Sequence, residues 1–145
     1  MVKVIGVSFK GPHQEGDFTW MIEREQYGSC LFIFNDNEMH HNTNIRGGGN
    51  AAVRPYNKHN KQLEKPRSAG IPTGTMMGYD SLSTAVKGSI DSSIEEIKEL
   101  LRMHHYETIY YSIDSKTGKL GTGIFRVDPD VIDYIDQQIN GLVST

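Results

Sequence analysis

The run Cys30-Leu31-Phe32-Ile33-Phe34 constrains the fold more than any other stretch of the chain. Five consecutive apolar residues leave no polar side, and the run has the length of a strand. Such a strand is buried on both faces, as in a parallel sheet covered by helices above and below. The neighbouring segments fit that setting. Val2, Val4, Ile5 and Val7 form a β-branched run that stops at Lys10-Gly11-Pro12, and residues 108–113 (Thr-Ile-Tyr-Tyr-Ser-Ile) are β-branched and aromatic. Both runs predict strands. Residues 19–27 hold helix formers without Gly or Pro, with Asp17 or Thr19 able to cap their start. Ile90, Ile94, Ile97, Leu100 and Leu101 recur at steps of three and four, with Glu95, Glu96, Lys98 and Glu99 on the other side. That spacing predicts an amphipathic helix opening near Ser89. A last helix opens at Asp128-Pro129-Asp130, Asp at the cap and Pro at the first helical position, with Val131, Ile132, Ile135, Ile139 and Leu142 as its apolar side.

Residues 35–78 are polar and rich in Asn, Gly and Pro. A short helix over residues 50–56 is expected there. A structureless stretch of that length is unusual in a compact domain, so further elements are expected within it. The order of elements predicts one α/β domain over residues 1–145, with a mostly parallel sheet flanked by helices.

The chain has 145 residues, enough for one core. Its 15 basic and 18 acidic residues give a net charge of −3. That balance argues against a general nucleic-acid binder, which draws its affinity from neutralising phosphates. No apolar run approaches the roughly 18–20 residues that span a bilayer, and the first residues lack the apolar core of a signal peptide. No membrane partner is expected. The single cysteine, Cys30, cannot form an internal disulfide, and a cytoplasmic protein is expected. Cys30 itself enters an apolar strand and reads as core.

Glycine makes up 15 of the 145 residues, about 10 % against an average near 7 %. Three glycine-bearing loops sit near inferred strand or helix ends: Gly16-Asp17-Phe18-Thr19, Gly47-Gly48-Gly49-Asn50-Ala51-Ala52 and Gly121-Thr122-Gly123-Ile124-Phe125. In parallel α/β sheets ligands bind outside the carboxyl ends of the strands. Glycine lets the backbone approach an anion without a Cβ in the way, and successive N–H groups in such turns suit a pyrophosphate. Asp17 adds a carboxylate acceptor for an exocyclic amine. The loops are neither a phosphate-binding loop with Gly-Lys-Ser/Thr nor a Gly-x-Gly-x-x-Gly turn. Each one alone also reads as an ordinary turn.

Taken in order, these pieces resemble the macrodomain family, which binds ADP-ribose. That family has a first strand, Gly-Asp-Ile-Thr, a short helix, and a hydrophobic strand ending in Asn-Ala-Ala-Asn. A Gly-Gly-Gly loop follows, then a strand and a second glycine-rich loop leading into the final helix. Here Gly16-Asp17-Phe18-Thr19, Leu31-Phe32-Ile33-Phe34-Asn35-Asp36-Asn37, Gly47-Gly48-Gly49-Asn50, residues 109–113 and Gly121-Thr122-Gly123-Ile124-Phe125 follow that order. Ala69-Gly70-Ile71-Pro72-Thr73-Gly74 is similar to the family's Gly-x-Ala-x-x-Thr-x-Gly strand. The resemblance implies a macrodomain-like three-layer domain that binds ADP-ribose or a close derivative. It further implies hydrolysis of ADP-ribose 1″-phosphate or of an ADP-ribosyl linkage, without a cofactor. A strand is expected between Thr73 and Ile90. Asp17 would accept from the adenine amine beside the Phe18 backbone, and Asn35 or Asn37 would hold the distal ribose. Gly47, Gly48, Gly49 and Asn50 would wrap that ribose and one phosphate. Gly121, Thr122, Gly123 and Ile124 would cradle the diphosphate, with Phe125 at the adenosine end.

For chemistry, the resemblance makes Asn37 the group that orients water, and Asp36 reads as a candidate base. His41, with His40 beside it, reads as an acid–base or phosphate partner. Asn35-Asp36-Asn37 is also good turn chemistry, and the two histidines can equally be solvated loop residues. His40, His41, His59, His104 and His105 lack helical His-x-x-x-His spacing, so no metal site is expected. His104 and His105 fit the carboxyl end of the helix before them. Arg54, Lys58, Lys61, Lys65 and Arg67 make the middle stretch locally basic, which reads as a solvated face from which one arginine could reach a phosphate. The alternative function is a non-catalytic binder that reads or sequesters an ADP-ribose-like nucleotide. If the glycines are only turns, the chain is an α/β interaction module.

Overall fold

The apolar run lies in the interior of a four-stranded parallel sheet, in a computed structural model that describes residues 1–145. The strands are β1 (Lys3–Val7), β2 (Cys30–Asp36), β3 (Ser68–Pro72) and β4 (Thr108–Ser112), in the order β1-β4-β2-β3. Ile5 pairs with Tyr110, Phe32 with Tyr110, and Phe34 with Gly70. The helices are α1 (Phe18–Met21), α2 (Thr84–Met103) and α3 (Pro129–Gly141), with a 3₁₀ helix at Gly49–Tyr56. No helix is long and apolar enough to cross a membrane.

The chain moves one way across the sheet from β1 to β2 to β3, then back to β4. Right-handed crossovers therefore place the connections on opposite faces. Side chains alternate in β2 to match. Leu31 and Ile33 join α2 and α3 in a core with Ile90, Ile97, Val131 and Ile135. Cys30, Phe32 and Phe34 join α1 and the 3₁₀ helix in a second core with Phe18, Met21 and Val53. One α/β domain with a helical layer on each side of the sheet is the result.

Three local differences from the sequence expectations have physical reasons. The helix expected over residues 19–27 stops at Met21, and a separate 3₁₀ turn forms at Glu25–Tyr27. Tyr27 packs edge-on against Phe32 and Tyr110, which draws the chain back onto the sheet before a second helical turn can form. The strand read at residues 69–74 agrees with β3, Ser-Ala-Gly-Ile-Pro, which is buried throughout. Its small residues are required, because a Cβ on Gly70 would collide with the Asp36 carboxylate. The segment after Thr73 contains no strand but a tight hairpin bridged between Gly74 and Gly78. Finally, α2 starts at Thr84 with Ser83 as its cap, earlier than Ser89, and the half-buried Val86 extends its apolar side back from Ile90 toward Leu82.

Phe32 is fully buried, its ring 5.2 Å from Phe18 and 5.7 Å from Tyr110. Phe32→Ala is expected to cost about 3–5 kcal/mol in a urea titration with an unchanged m-value. A loss below about 1 kcal/mol would mean that this layer is not packed as described.

Candidate functional site

The loops after β4 and β2 leave neighbouring strands toward opposite faces, so the carboxyl edge between them is the place where parallel sheets of this kind form a binding crevice. After β4, the Gly121 N–H donates to the Ser112 carbonyl, and a Cβ there would press on the Ile113 backbone at 2.8 Å. Gly123 has φ +62°, open to glycine at little cost. The Phe125 N–H and the Thr122 hydroxyl close the turn onto the Thr122 and Phe125 carbonyls. The N–H groups of Thr122, Gly123 and Ile124 donate to no protein acceptor. After β2, the Gly47 N–H donates to the Ala51 carbonyl, Gly49 has φ +55°, and the N–H groups of Gly48, Gly49 and Asn50 are likewise unpaired.

Two asparagines tie these loops together. Asn35 donates through Nδ2 to the Gly121 carbonyl at 2.6 Å. Asn50 accepts from the Phe18 N–H at 3.0 Å and donates through Nδ2 to the Gly16 carbonyl and to Ser112 Oγ at 2.9 Å. It acts as a staple between the β1–α1 loop, the glycine loop and the end of β4. Asp17 caps α1 by accepting from the Thr19 N–H, and its other oxygen accepts from the His13 N–H. The Phe18 ring is fully buried and its N–H is held by Asn50, so neither faces a ligand. Ile124 and Phe125 stand exposed on the β4 loop.

Asp36 and His41 belong to a different construction. The Asp36 side chain is fully buried; its Oδ1 accepts from Arg54 Nε and Nη2, at 3.0 and 2.6 Å, and from the Asn37 N–H. Its Oδ2 lies 3.1 Å from His41 Nδ1. On the far side, His41 Nε2 meets Glu96 Oε1 at 2.7 Å, and Glu96 Oε2 meets Lys58 Nζ at 3.1 Å. Burial alone would lower the His41 imidazole, but hydrogen bonds to Asp36 and Glu96 and their charges push it up to about 9. Burial would raise the Asp36 carboxyl, and the bonds from His41 and Arg54 outweigh it and hold it below its ordinary value. His41 is thus an imidazolium with both nitrogens engaged, and Asp36 is a fully partnered carboxylate. This arrangement does not suit a general base, which needs a free lone pair at neutral pH. It suits a clasp joining β2, its following loop, the 3₁₀ helix and α2. Arg54 is not on a solvated face: it is 2 % exposed and donates through Nη1 to the Ile45 carbonyl.

Asn37 sits at the lip of this clasp. Its Oδ1 accepts from the His40 N–H, and its amide nitrogen donates to no protein group. Beside the clasp a gap of about 10 Å³, room for one water, is lined by His41, His59, Ser93 and Glu96. A cavity of about 590 Å³ lies at the opposite, amino end of the sheet, beside Lys3, Leu101 and His104–Thr108. His104 caps the carboxyl end of α2 there, as expected, and Cys30 is buried.

Compared with protein-family models, curated proteins and solved structures, the chain matches none. Three partners in these networks escape a reading of the sequence: Ser112, Ser93 and Glu96. Glu96 reads as one more acid on the polar side of α2. Its only signal is position, three residues from Ser93 and four from Leu100 on one helical face.

The clasp predicts a pH profile. With its value raised in the fold, His41 contributes stability fully below its ordinary 6.5 and loses it as the pH rises through about 9. Asp36, held low, contributes above its ordinary 3.8 and loses that contribution as the pH falls below it. In melting curves across pH, His41→Gln should remove the decline between neutrality and pH 9. A decline of the same size in the variant would rule out His41 as its source.

Proposed function

We propose that the protein binds ADP-ribose or a close derivative at the carboxyl edge of the sheet, the diphosphate lying across the two glycine loops. One observation carries this reading. The N–H groups of Gly48, Gly49 and Asn50 and those of Thr122, Gly123 and Ile124 are unpaired on loops flanking the same crevice. Backbone donors in such turns stabilise an anion without basic side chains, which fits a chain of net charge −3. The remaining groups complement a nucleotide. Asp17 keeps lone pairs for an exocyclic amine, and Asn35 Oδ1 and Asn37 Nδ2 are available to ribose hydroxyls. The exposed Phe125 ring offers a surface to the adenosine end.

The engagement of Asp36 and His41 favours a binder that reads or sequesters the nucleotide over a hydrolase. The free amide nitrogen of Asn37 supports a second reading, in which it orients water for removal of a terminal phosphate or ADP-ribosyl linkage.

Calorimetric titration with ADP-ribose, followed by phosphate release from ADP-ribose 1″-phosphate, tests both. Binding without release supports the binder, and release that disappears in Asn37→Ala supports the hydrolase. Gly48→Asp tests the loops directly, since a Cβ at Gly48 meets open space. It places a carboxylate where the diphosphate would lie. It should weaken ADP-ribose at least tenfold, about 1.4 kcal/mol, and leave adenosine almost unchanged. Undiminished ADP-ribose binding in this variant would sink the loop assignment.

A further inference from the structure

The two edges of the sheet are finished differently. Beyond β3, the backbone of Ser68, Ala69 and Gly70 is lined by Lys58, His59 and the His41–Glu96 pair. Beyond β1 nothing pairs with the strand. The Lys3 N–H donates to the Glu107 carbonyl, and the Val7 carbonyl accepts from the Ile113 N–H. In a parallel ladder that parity sends the N–H and C=O groups of Val4 and Gly6 away from β4. No side chain bonds to them. An unpaired edge of this kind is a template for another strand.

We propose that β1 pairs antiparallel with β1 of a second copy, joining two sheets into one across a two-fold axis at Ile5. The register is self-complementary. Centred on Ile5, it sets Val4 opposite Gly6 of the second copy and Gly6 opposite its Val4, so the outward groups of each residue find donors and acceptors. Ile5 then faces Ile5, a non-hydrogen-bonded pair with side chains in close contact. Ile5 is 38 % exposed and shares a sheet face with Val7, beside the partly buried ring of Tyr110. Pairing would cover an apolar side chain that the monomer leaves in water.

Charge agrees with the same register. Lys3 falls opposite Val7 of the second copy, at the end of β1 where Gly16 packs against the Ser8 carbonyl. Glu15 precedes that glycine, and so lies in the chain beside this end of β1. The register brings the ammonium of one copy toward the carboxylate of the other at both ends of the interface.

Sedimentation equilibrium of the whole chain over a wide concentration range tests this, together with Ile5→Lys, Ile5→Cys and Lys3→Cys. The wild type should show a reversible monomer–dimer equilibrium. Ile5→Lys, which sets like charges face to face, should remain monomeric throughout. Ile5→Cys should form a disulfide-linked dimer on mild oxidation, because the facing Cα atoms would lie about 4.5 Å apart, within disulfide reach. Lys3→Cys should not, and the native Cys30 is buried and does not interfere. A wild type that stays monomeric at every concentration overturns the proposal. So does a dimer that Ile5→Cys fails to cross-link, even where Ile5→Lys does not fold.

Discussion

A buried carboxylate is tolerable only when it is paired, and the architecture around Asp36 follows from that requirement. Asp36 ends the most apolar strand of the chain, with Phe32 and Phe34 on the same face. It can stay charged there because Arg54, His41 and the Asn37 N–H supply its hydrogen bonds. Each partner arrives with a segment attached. Arg54 brings the 3₁₀ helix, and through Ile45 it brings the approach to the glycine loop. His41 brings the β2 loop and hands the charge on to Glu96 of α2. Glycine at position 70 on β3 leaves the space. Removing one member would leave another charge buried and unpaired, so the clasp acts as one unit.

The same network decides what remains free to meet a ligand. Arg54 and Asp36 satisfy each other, and Lys58 is engaged by Glu96. Asn35 and Asn50 spend donors on Gly121, Gly16 and Ser112 to hold the loops in place. Backbone N–H groups are what the crevice has left over. These donors lie on half-buried and exposed stretches of the two loops, where water meets them until an anion takes its place.

How much of this was legible beforehand depended on whether a feature is written locally. The apolar run at residues 30–34, the β-branched run at 108–113 and the Asp128-Pro129 start each carry their own signal, and the α/β class with its parallel sheet follows from them. The strand β3 carries no periodic signal, and only its order of small residues through Thr73-Gly74 marks it. Ser-Ala-Gly-Ile-Pro has no alternation and low strand propensity, and it is a strand only because β2 and two helical layers enclose it. Asn35 and Asn50 could be chosen from their positions beside glycine loops, but not their tasks. Both hold the scaffold through contacts spanning tens of residues in sequence. Asp36 and His41 looked like acid–base chemistry for a related reason. A sequence shows which titratable groups are close along the chain, and not that Arg54 and Glu96 fold over to occupy them.

The two sheet edges show the same division between what is paired and what is left. On the β3 side, charged groups from two helical layers lie along the strand, and a charged flank is a common protection against strand pairing. On the β1 side only Lys3 carries a formal charge within the strand, while Ile5 stands half-open beside it. A single lysine at one end of a five-residue strand leaves its central residues unguarded. Both the free N–H groups of the glycine loops and the free edge of β1 are therefore backbone groups that the fold brings to the surface without partners. They differ in what can satisfy them. Donors alone, gathered at two turns, call for an anion, whereas donors and acceptors alternating along a strand call for another strand.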